Sequence, residues 1–206
     1  MKSLKILLAV FLGAFALQGA QAQTRPPVSF QLNYSIAQPL SSLKDYANNT
    51  SFRGWKAGFQ YAINDNLSVG LNVGYQDFYE KSARAVYPIK DGDISAVQTR
   101  TLQTIPILAA AQYNFTKPGS KVIPYGGLNI GVANFQYEKY YGQFVDDDNS
   151  WQFMVSPELG INVPFGKYSP VLFNAHVQYN FSPYKVAELT NFNTVQANVG
   201  VKFHLR

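Results

Sequence analysis

The sequence predicts an all-β chain, an eight-stranded antiparallel up-and-down transmembrane β-barrel with short periplasmic turns and longer extracellular loops. Three observations carry this. Apolar residues recur at every second position in eight separate segments, so each segment has one greasy and one polar face. The connections between segments alternate long and short, the asymmetry of a membrane barrel. Charged residues make up 14% of the chain and aromatics 15%, which suits a structure with aromatics at a lipid boundary and excludes a disordered chain.

The chain begins with a processing segment. Lys2 and Lys5 precede the apolar run Ile6 to Leu17, and Ala20-Gln21-Ala22 fits the small-x-small cleavage rule. Residues 1–22 are therefore expected to be a cleaved signal peptide, and 23–206 the barrel domain. The apolar run falls well short of the roughly twenty residues a spanning helix needs. Removing the two lysines takes the net charge of +5 down to +3, too small to argue for nucleic acid. There is no Cys, which fits an exported protein closed without disulfides. Mean hydropathy is −0.12, and no second long apolar run follows Leu17. The mature protein is thus a membrane barrel or a soluble exported one.

The first strand alternates Val28, Phe30, Leu32, Tyr34 and Ile36 with Ser29, Gln31, Asn33 and Ser35. A polar segment follows, with Pro39, Lys44, Asp45, Asn48 and Asn49. The second strand, Gly54 to Ile63, sets Trp55, Ala57, Phe59, Tyr61 and Ile63 against Lys56, Gly58 and Gln60. Asn64-Asp65-Asn66 then predicts a tight hairpin turn, because Asn and Asp tolerate left-handed φ and bond their own backbone. The third strand runs from Leu67 to Tyr75 on its apolar face. Lys81 to Ile94 loses the alternation among charges, Pro88 and Asp91-Gly92-Asp93.

The fourth strand is long, from about Ser95 to Phe115. Its upper half (Thr99, Arg100, Thr101, Gln103) is polar on both faces, so it should stand clear of the bilayer and pair with the end of the third strand. A short turn around Pro118-Gly119 leads to the fifth strand, which sets Leu128, Ile130 and Val132 against Asn129, Gly131 and Ala133. Glu138 to Ser150, with Asp146-Asp147-Asp148, is expected to be a loop. The sixth strand carries Trp151, Phe153, Val155, Leu159, Ile161 and Val163. The seventh carries Val171, Phe173, Ala175, Val177, Tyr179 and Phe181. The last, Asn193 to Leu205, sets Val195, Ala197, Val199, Val201, Phe203 and Leu205 against Gln196, Asn198, Gly200, Lys202 and His204. Pro106 and Pro157 fall inside strands of a barrel that has no edge, so each is expected at a bulge.

Signal peptide, eight amphipathic strands and the ending Asn198, Gly200, Phe203 and Leu205 together resemble the small outer-membrane barrels of the OmpA-transmembrane and OmpX type. Arg206 departs from the usual apolar end. The resemblance implies the outer membrane of a Gram-negative bacterium, a porin-like envelope location, and insertion machinery that reads those four residues as an assembly signal. It also implies functions ranging over adhesion, envelope stability and lipid modification.

An eight-stranded lumen is just wide enough for side chains to fill. Gln31, Asn33, Lys56, Gln60, Asn72, Gln76, Gln112, Asn129, Glu158, Asn162, Asn174, His176, Gln178, Asn198, Lys202 and His204 should face it as a packed polar network. Glu158 should offset Lys56 or Lys202, since an unpaired buried charge is costly. A proton or ion pathway is the competing reading. Catalysis would need a nucleophile and base; only His176 and His204 exist, and no Ser follows His176 at the next same-face position, so no catalytic residue is expected. Hard cations favour clustered carboxylates, but Asp146 to Asp148 point in different directions, and no metal or other cofactor is expected. Lys44, Arg53, Lys81, Arg84, Arg100, Lys139 and Lys185 near the outer ends are candidate contacts to lipopolysaccharide phosphates. Aromatics flanking the bands are expected to form interfacial girdles: Tyr75, Tyr79, Phe135, Trp151, Phe153 and Tyr179 above, and Tyr61, Tyr113, Phe115, Tyr125 and Phe203 below.

The leading expectation is a non-enzymatic outer-membrane barrel, in contact with outer-membrane lipid and lipopolysaccharide, displaying four loops for surface interaction or envelope integrity. Its alternatives are a narrow channel or carrier for small or apolar molecules, a lipid-A-modifying enzyme, and a soluble exported ligand-binding barrel.

Overall fold

The computed structural model describes residues 28–89, 92–116, 120–142, 144–166, 169–186 and 189–205. The expected signal peptide, the Pro118-Gly119 turn and Asp91 lie outside these residues. In chain order the elements are β1 (Val28–Leu40), α1 (Ser42–Tyr46), β2 (Ser51–Ala62), β3 (Leu67–Lys81), β4 (Ala85–Ile89), β5 (Gly92–Ala96), β6 (Gln98–Asn114), β7 (Ile123–Tyr141), β8 (Phe144–Pro164), β9 (Val171–Ser182) and β10 (Phe192–Leu205).

Eight of the strands close into one antiparallel barrel in the order β1-β10-β9-β8-β7-β6-β3-β2. Following paired residues once around gives Phe30, Phe59, Leu71, Ala109, Ile130, Val155, Phe181, Asn193 and Leu40. The circuit returns ten residues further along β1 than it began, the 30-to-40 offset that tilts the strands by about 40°.

Which way the faces point decides what this barrel dissolves in. Phe59 is 50% exposed, Leu71 59% and Val199 48%, while Gln31, Asn72, Asn129 and Asn198 are buried. The apolar faces thus point outward and the polar faces inward, the reverse of a water-soluble barrel. The outer surface also shows where the hydrocarbon ends. The row Val73–Ile107–Val132–Phe153 is wholly apolar. Four residues further along, the row Asp77–Gln103–Gln136–Asn149 is wholly polar. The change takes about 13 Å of strand, with Trp151 and Tyr75 between.

Several sequence expectations are corrected. Glu138–Ser150 is not a loop: β7 and β8 pair to Tyr141↔Phe144, and Gly142 turns the tip at φ 64°, a backbone region that favours glycine. The residues of this stretch still alternate between two faces, but both are hydrated, so no apolar period marks the strand. Within 81–94, where alternation was lost, β4 and β5 form a separate two-stranded hairpin that also takes Ser95 from the fourth strand. Neither proline sits at a register shift. Pro106 pairs with Ala133 in unbroken register, and only the β3 side lapses between Val73↔Ile107 and Gln76↔Thr104. Pro157 pairs with Leu128 and lapses only toward β9. Each proline turns its missing N–H to one neighbour, so the ladder skips two positions without slipping. The irregularity is elsewhere, between Ser35 and Ala37 against β2.

Two girdle assignments are also corrected. Tyr125 and Phe135 are fully buried. Both share odd-numbered parity on β7 with Asn129 and Ala133, so alternation places them inside regardless of residue type.

Candidate functional site

Inside the barrel, the strands stack side chains in layers. Near the short-turn end, Lys202 Nζ donates to Gln60 Oε1 at 2.5 Å, Gln60 Nε2 to Gln112 Oε1 at 3.0 Å, and Gln112 Nε2 to Asn114 Oδ1 at 2.9 Å. Above lies a charged cluster. Lys56 Nζ sits 2.6 Å from Glu158 Oε2, 2.7 Å from Gln178 Oε1 and 3.2 Å from His176 Nε2. Three acceptors thus match the three N–H bonds of one ammonium. Of the two lysines weighed against Glu158, the structure pairs it with Lys56.

This arrangement fixes the histidine. Nε2 accepts from Lys56, so the ring proton is on Nδ1, which donates to Asn174 Oδ1 at 3.0 Å. An imidazole whose free lone pair is held by an ammonium is poorly placed to take a proton from a nucleophile. Glu158 gains a further donor in Asn129 Nδ2 at 2.8 Å, and Asn72 Nδ2 holds Asn129 Oδ1 at 2.7 Å. The network therefore reaches from β2 through β3 and β7 to β8 and β9. His204 lies at the short-turn end, paired with Ser29, away from this cluster.

The long-loop end is closed differently, by a stopper that no sequence pattern marks. Leu43 and Tyr46 of α1 enter the mouth fully buried, against Phe78, Leu102, Phe135, Tyr137, Tyr184, Leu189 and Phe192. Phe135 stacks on Tyr184 at 4.5 Å and meets Phe192 edge-on at 5.0 Å, while Tyr46 lies 5.0 Å from Tyr137. Polar bonds lock the stopper. Tyr46 donates to Glu138 O at 3.0 Å, Arg100 Nη1 to Tyr46 O at 3.2 Å, and Ser42 Oγ to Asn191 O at 2.9 Å. Burial first, and Asp148 beside it, push the Tyr184 phenol above its usual range. Its hydroxyl donates to Asp148 Oδ2 at 3.1 Å.

Between stopper and charged cluster remains a cavity of about 20 Å³ lined by Gln76, Thr104, Asn180, Gln196, Met154 and Phe192. That volume holds about one water. Gln76 and Thr104 are among its lining residues, and Gln76 Oε1 and Thr104 Oγ1 are buried without a protein hydrogen bond.

The candidate lipopolysaccharide contacts separate into two groups. Lys44, Lys81, Arg84 and Lys185 are exposed at the long-loop end. Arg53 is exposed just above the apolar band, 3.3 Å from Asp77 and over the Tyr79 ring. Arg100 and Lys139 belong to the inner face: Arg100 is tied to α1, and Lys139 is 6% exposed. Parity again decides, since both share the inward face with Leu102 and Tyr137. Asn198, Gly200, Phe203 and Leu205 lie on β10, with Gly200 pressed against β1: a Cβ there would sit 2.0 Å from Leu32 O.

No functionally curated protein matches the chain. Among solved structures, Neisserial surface protein A superposes with a TM-score of 0.58 at 19% identity, covering 89% of this chain and all of that one. The outer membrane protein OprG of Pseudomonas aeruginosa superposes with a TM-score of 0.52 at 14% identity, covering 91% of this chain and all of that one. These likenesses concern the fold. The sequence itself matches the outer membrane protein beta-barrel domain over residues 7–203; with its apolar outer wall and wet, crowded lumen, the chain belongs to that family and resides in the outer membrane of a Gram-negative bacterium.

Proposed function

We propose that this protein is a plugged, non-enzymatic barrel that acts through its long-loop end, displayed outside the cell, in surface interaction or envelope integrity. The observation that carries this reading is the closed lumen. A Lys202–Gln60–Gln112 layer, the Lys56–Glu158 cluster and the α1 stopper succeed one another, and a cavity of about 20 Å³ lies between cluster and stopper. A passage for a metabolite needs a continuous bore, and an apolar cargo needs a greasy one; among the described residues, these polar layers and the stopper lie across such a path. Arg53, just above the apolar band, and the exposed Lys44, Lys81, Arg84 and Lys185 at the long-loop end would supply the contacts to lipopolysaccharide phosphates. Asn198, Gly200, Phe203 and Leu205 are the residues for the insertion machinery to read.

The test is conductance in planar bilayers. Wild-type protein is expected to give no steady open level. A stable single-channel current would replace this reading with the narrow channel.

A further inference from the structure

A lipid that lies against the barrel sets its headgroup against whatever the outer wall presents above the apolar band, and that wall differs from side to side. β3, β6, β7 and β8 rise past the band as one hydrated sheet. β9 pairs with β8 only from Val155, which leaves the upper edge of β8 bare. On this tall wall the apolar row Val73–Ile107–Val132–Phe153 gives way, four residues further up, to Asp77–Gln103–Gln136–Asn149. Two residues beyond comes Tyr79–Thr101–Glu138–Asp147. Lipids whose chains cover the first row therefore bring their headgroups against the other two. Trp151 stands between, 57% exposed.

The chemistry of the two polar rows suits hydroxyls better than phosphates. Arg53 beside them is shared with Asp77. Among the described residues above the Asp77 row, Lys81 is the only cation on this outer face, against Glu138 and Asp147 directly opposite one another. A phosphate there would meet like charge. Hydrogen-bonding capacity, by contrast, is left over. Gln103 and Asp147 make no side-chain hydrogen bond among the described residues. Asn134 donates to Asn149 Oδ1 at 2.7 Å and accepts from Gln136 Nε2 at 3.3 Å, so Asn149 Nδ2 and Gln136 Oε1 stay available. Tyr140 uses one oxygen of Glu138. Amides both donate and accept, as sugar hydroxyls and N-acyl groups do, and carboxylates accept from hydroxyls. The exposed indole supplies a flat apolar surface for the C–H face of a sugar ring.

We propose that this wall holds the diglucosamine headgroup of an outer-leaflet glycolipid, with Trp151 under a sugar ring and Gln103, Gln136, Asn149, Glu138 and Asp147 on its hydroxyls and amides. This rests on the outward placement of the long-loop end, and it adds sugar recognition to the phosphate contacts of the basic loop residues, which a separate arm of the test reads.

The experiment uses the full barrel folded in zwitterionic detergent micelles, with Trp55→Phe so that Trp151 alone reports. Heat-modifiable migration verifies that each variant is folded. The probes are lipid A, the same lipid freed of its phosphates, and phosphatidylglycerol. Both glycolipids are expected to shift Trp151 emission to the blue and to saturate, while phosphatidylglycerol leaves it in place. Gln103→Leu combined with Gln136→Leu should weaken the phosphate-free glycolipid about tenfold, through the loss of two hydrogen-bonding groups. Lys44→Gln combined with Lys185→Gln should weaken only the phosphorylated lipid, and failure of that arm counts against the phosphate contacts alone. A response that vanishes with the phosphates, that phosphatidylglycerol reproduces, or that the double leucine variant leaves unchanged overturns the sugar site.

Discussion

Removing the Glu158 charge tests the reasoning about the lumen most directly. In Glu158→Gln the side chain keeps its shape, while Lys56 stays buried without its counter-ion. The pair is 2.6 Å apart with side chains 5% and 2% exposed. At an effective dielectric near 20, the gross attraction is roughly 6 kcal/mol. Taking both ions out of water costs several kcal/mol each, so the pair as a whole contributes little net stability. Breaking it is another matter, because Lys56 then retains only the dipoles of Gln178 and His176. The expected loss is about 3–5 kcal/mol. Lys56→Met should cost a similar amount, since Glu158 would keep Asn129 but lose its cation. The double variant carries no stranded charge, and its loss should be smaller than either single one, a strong non-additivity. Urea unfolding of the barrel refolded in phosphocholine vesicles, followed by tryptophan fluorescence, reads all four corners of the cycle. Additive losses, or single losses below about 1 kcal/mol, would show that water reaches the cluster and that the lumen is not packed as described.

Two further outcomes follow from the closing seam and the stopper. Gly200→Ala puts a Cβ 2.0 Å from Leu32 O and 2.6 Å from Asn33 Cα, both backbone atoms of the strand that closes the barrel. Overpacking of about 1–3 kcal/mol or more is expected, with a depleted folded band on heat-modifiable gels. Gly126→Ala, where the nearest atom is the mobile Phe115 Cζ at 3.2 Å, should refold nearly normally, and equal yields would refute the distinction. For Tyr184, burial and Asp148 raise the folded pKa above 10.0. Stability from its protonated form is fully present below pH 10.0 and is lost as pH rises through the folded value. Unfolding free energy should fall as pH rises above 10.0, and less steeply in Tyr184→Phe, which at neutral pH loses only about 1 kcal/mol with the Asp148 bond. Identical slopes in the two proteins would contradict the assignment.

What could be read from the sequence is what period-2 alternation encodes. A strand's side chains switch faces at every residue whatever their neighbours do, so the eight segments, their greasy sides and the inward polar set followed directly. Where residue type displaced parity, the reading failed: Tyr125 and Phe135 were assigned to girdles as aromatics although their position numbers put them inside. Phe144 to Ser150 shows the other limit. Alternation marks a strand only when its two faces meet different solvents, and this stretch is wet on both.

Tertiary structure alone decided the rest, because it depends on which distant residues closure brings together. That Lys56 rather than Lys202 meets Glu158 follows from register accumulated across several strands. The stopper exists because a short helix after β1 folds back into a mouth whose aromatic lining comes from β3, β7, and β10 with the segment that leads into it, three regions far apart in sequence. The bare edge of β8 likewise reflects unequal strand lengths on its two sides, a property of the pair and not of either strand. Alternation fixed the faces residue by residue; pairing set which residues share a level of the lumen, and only a closed barrel has levels to share.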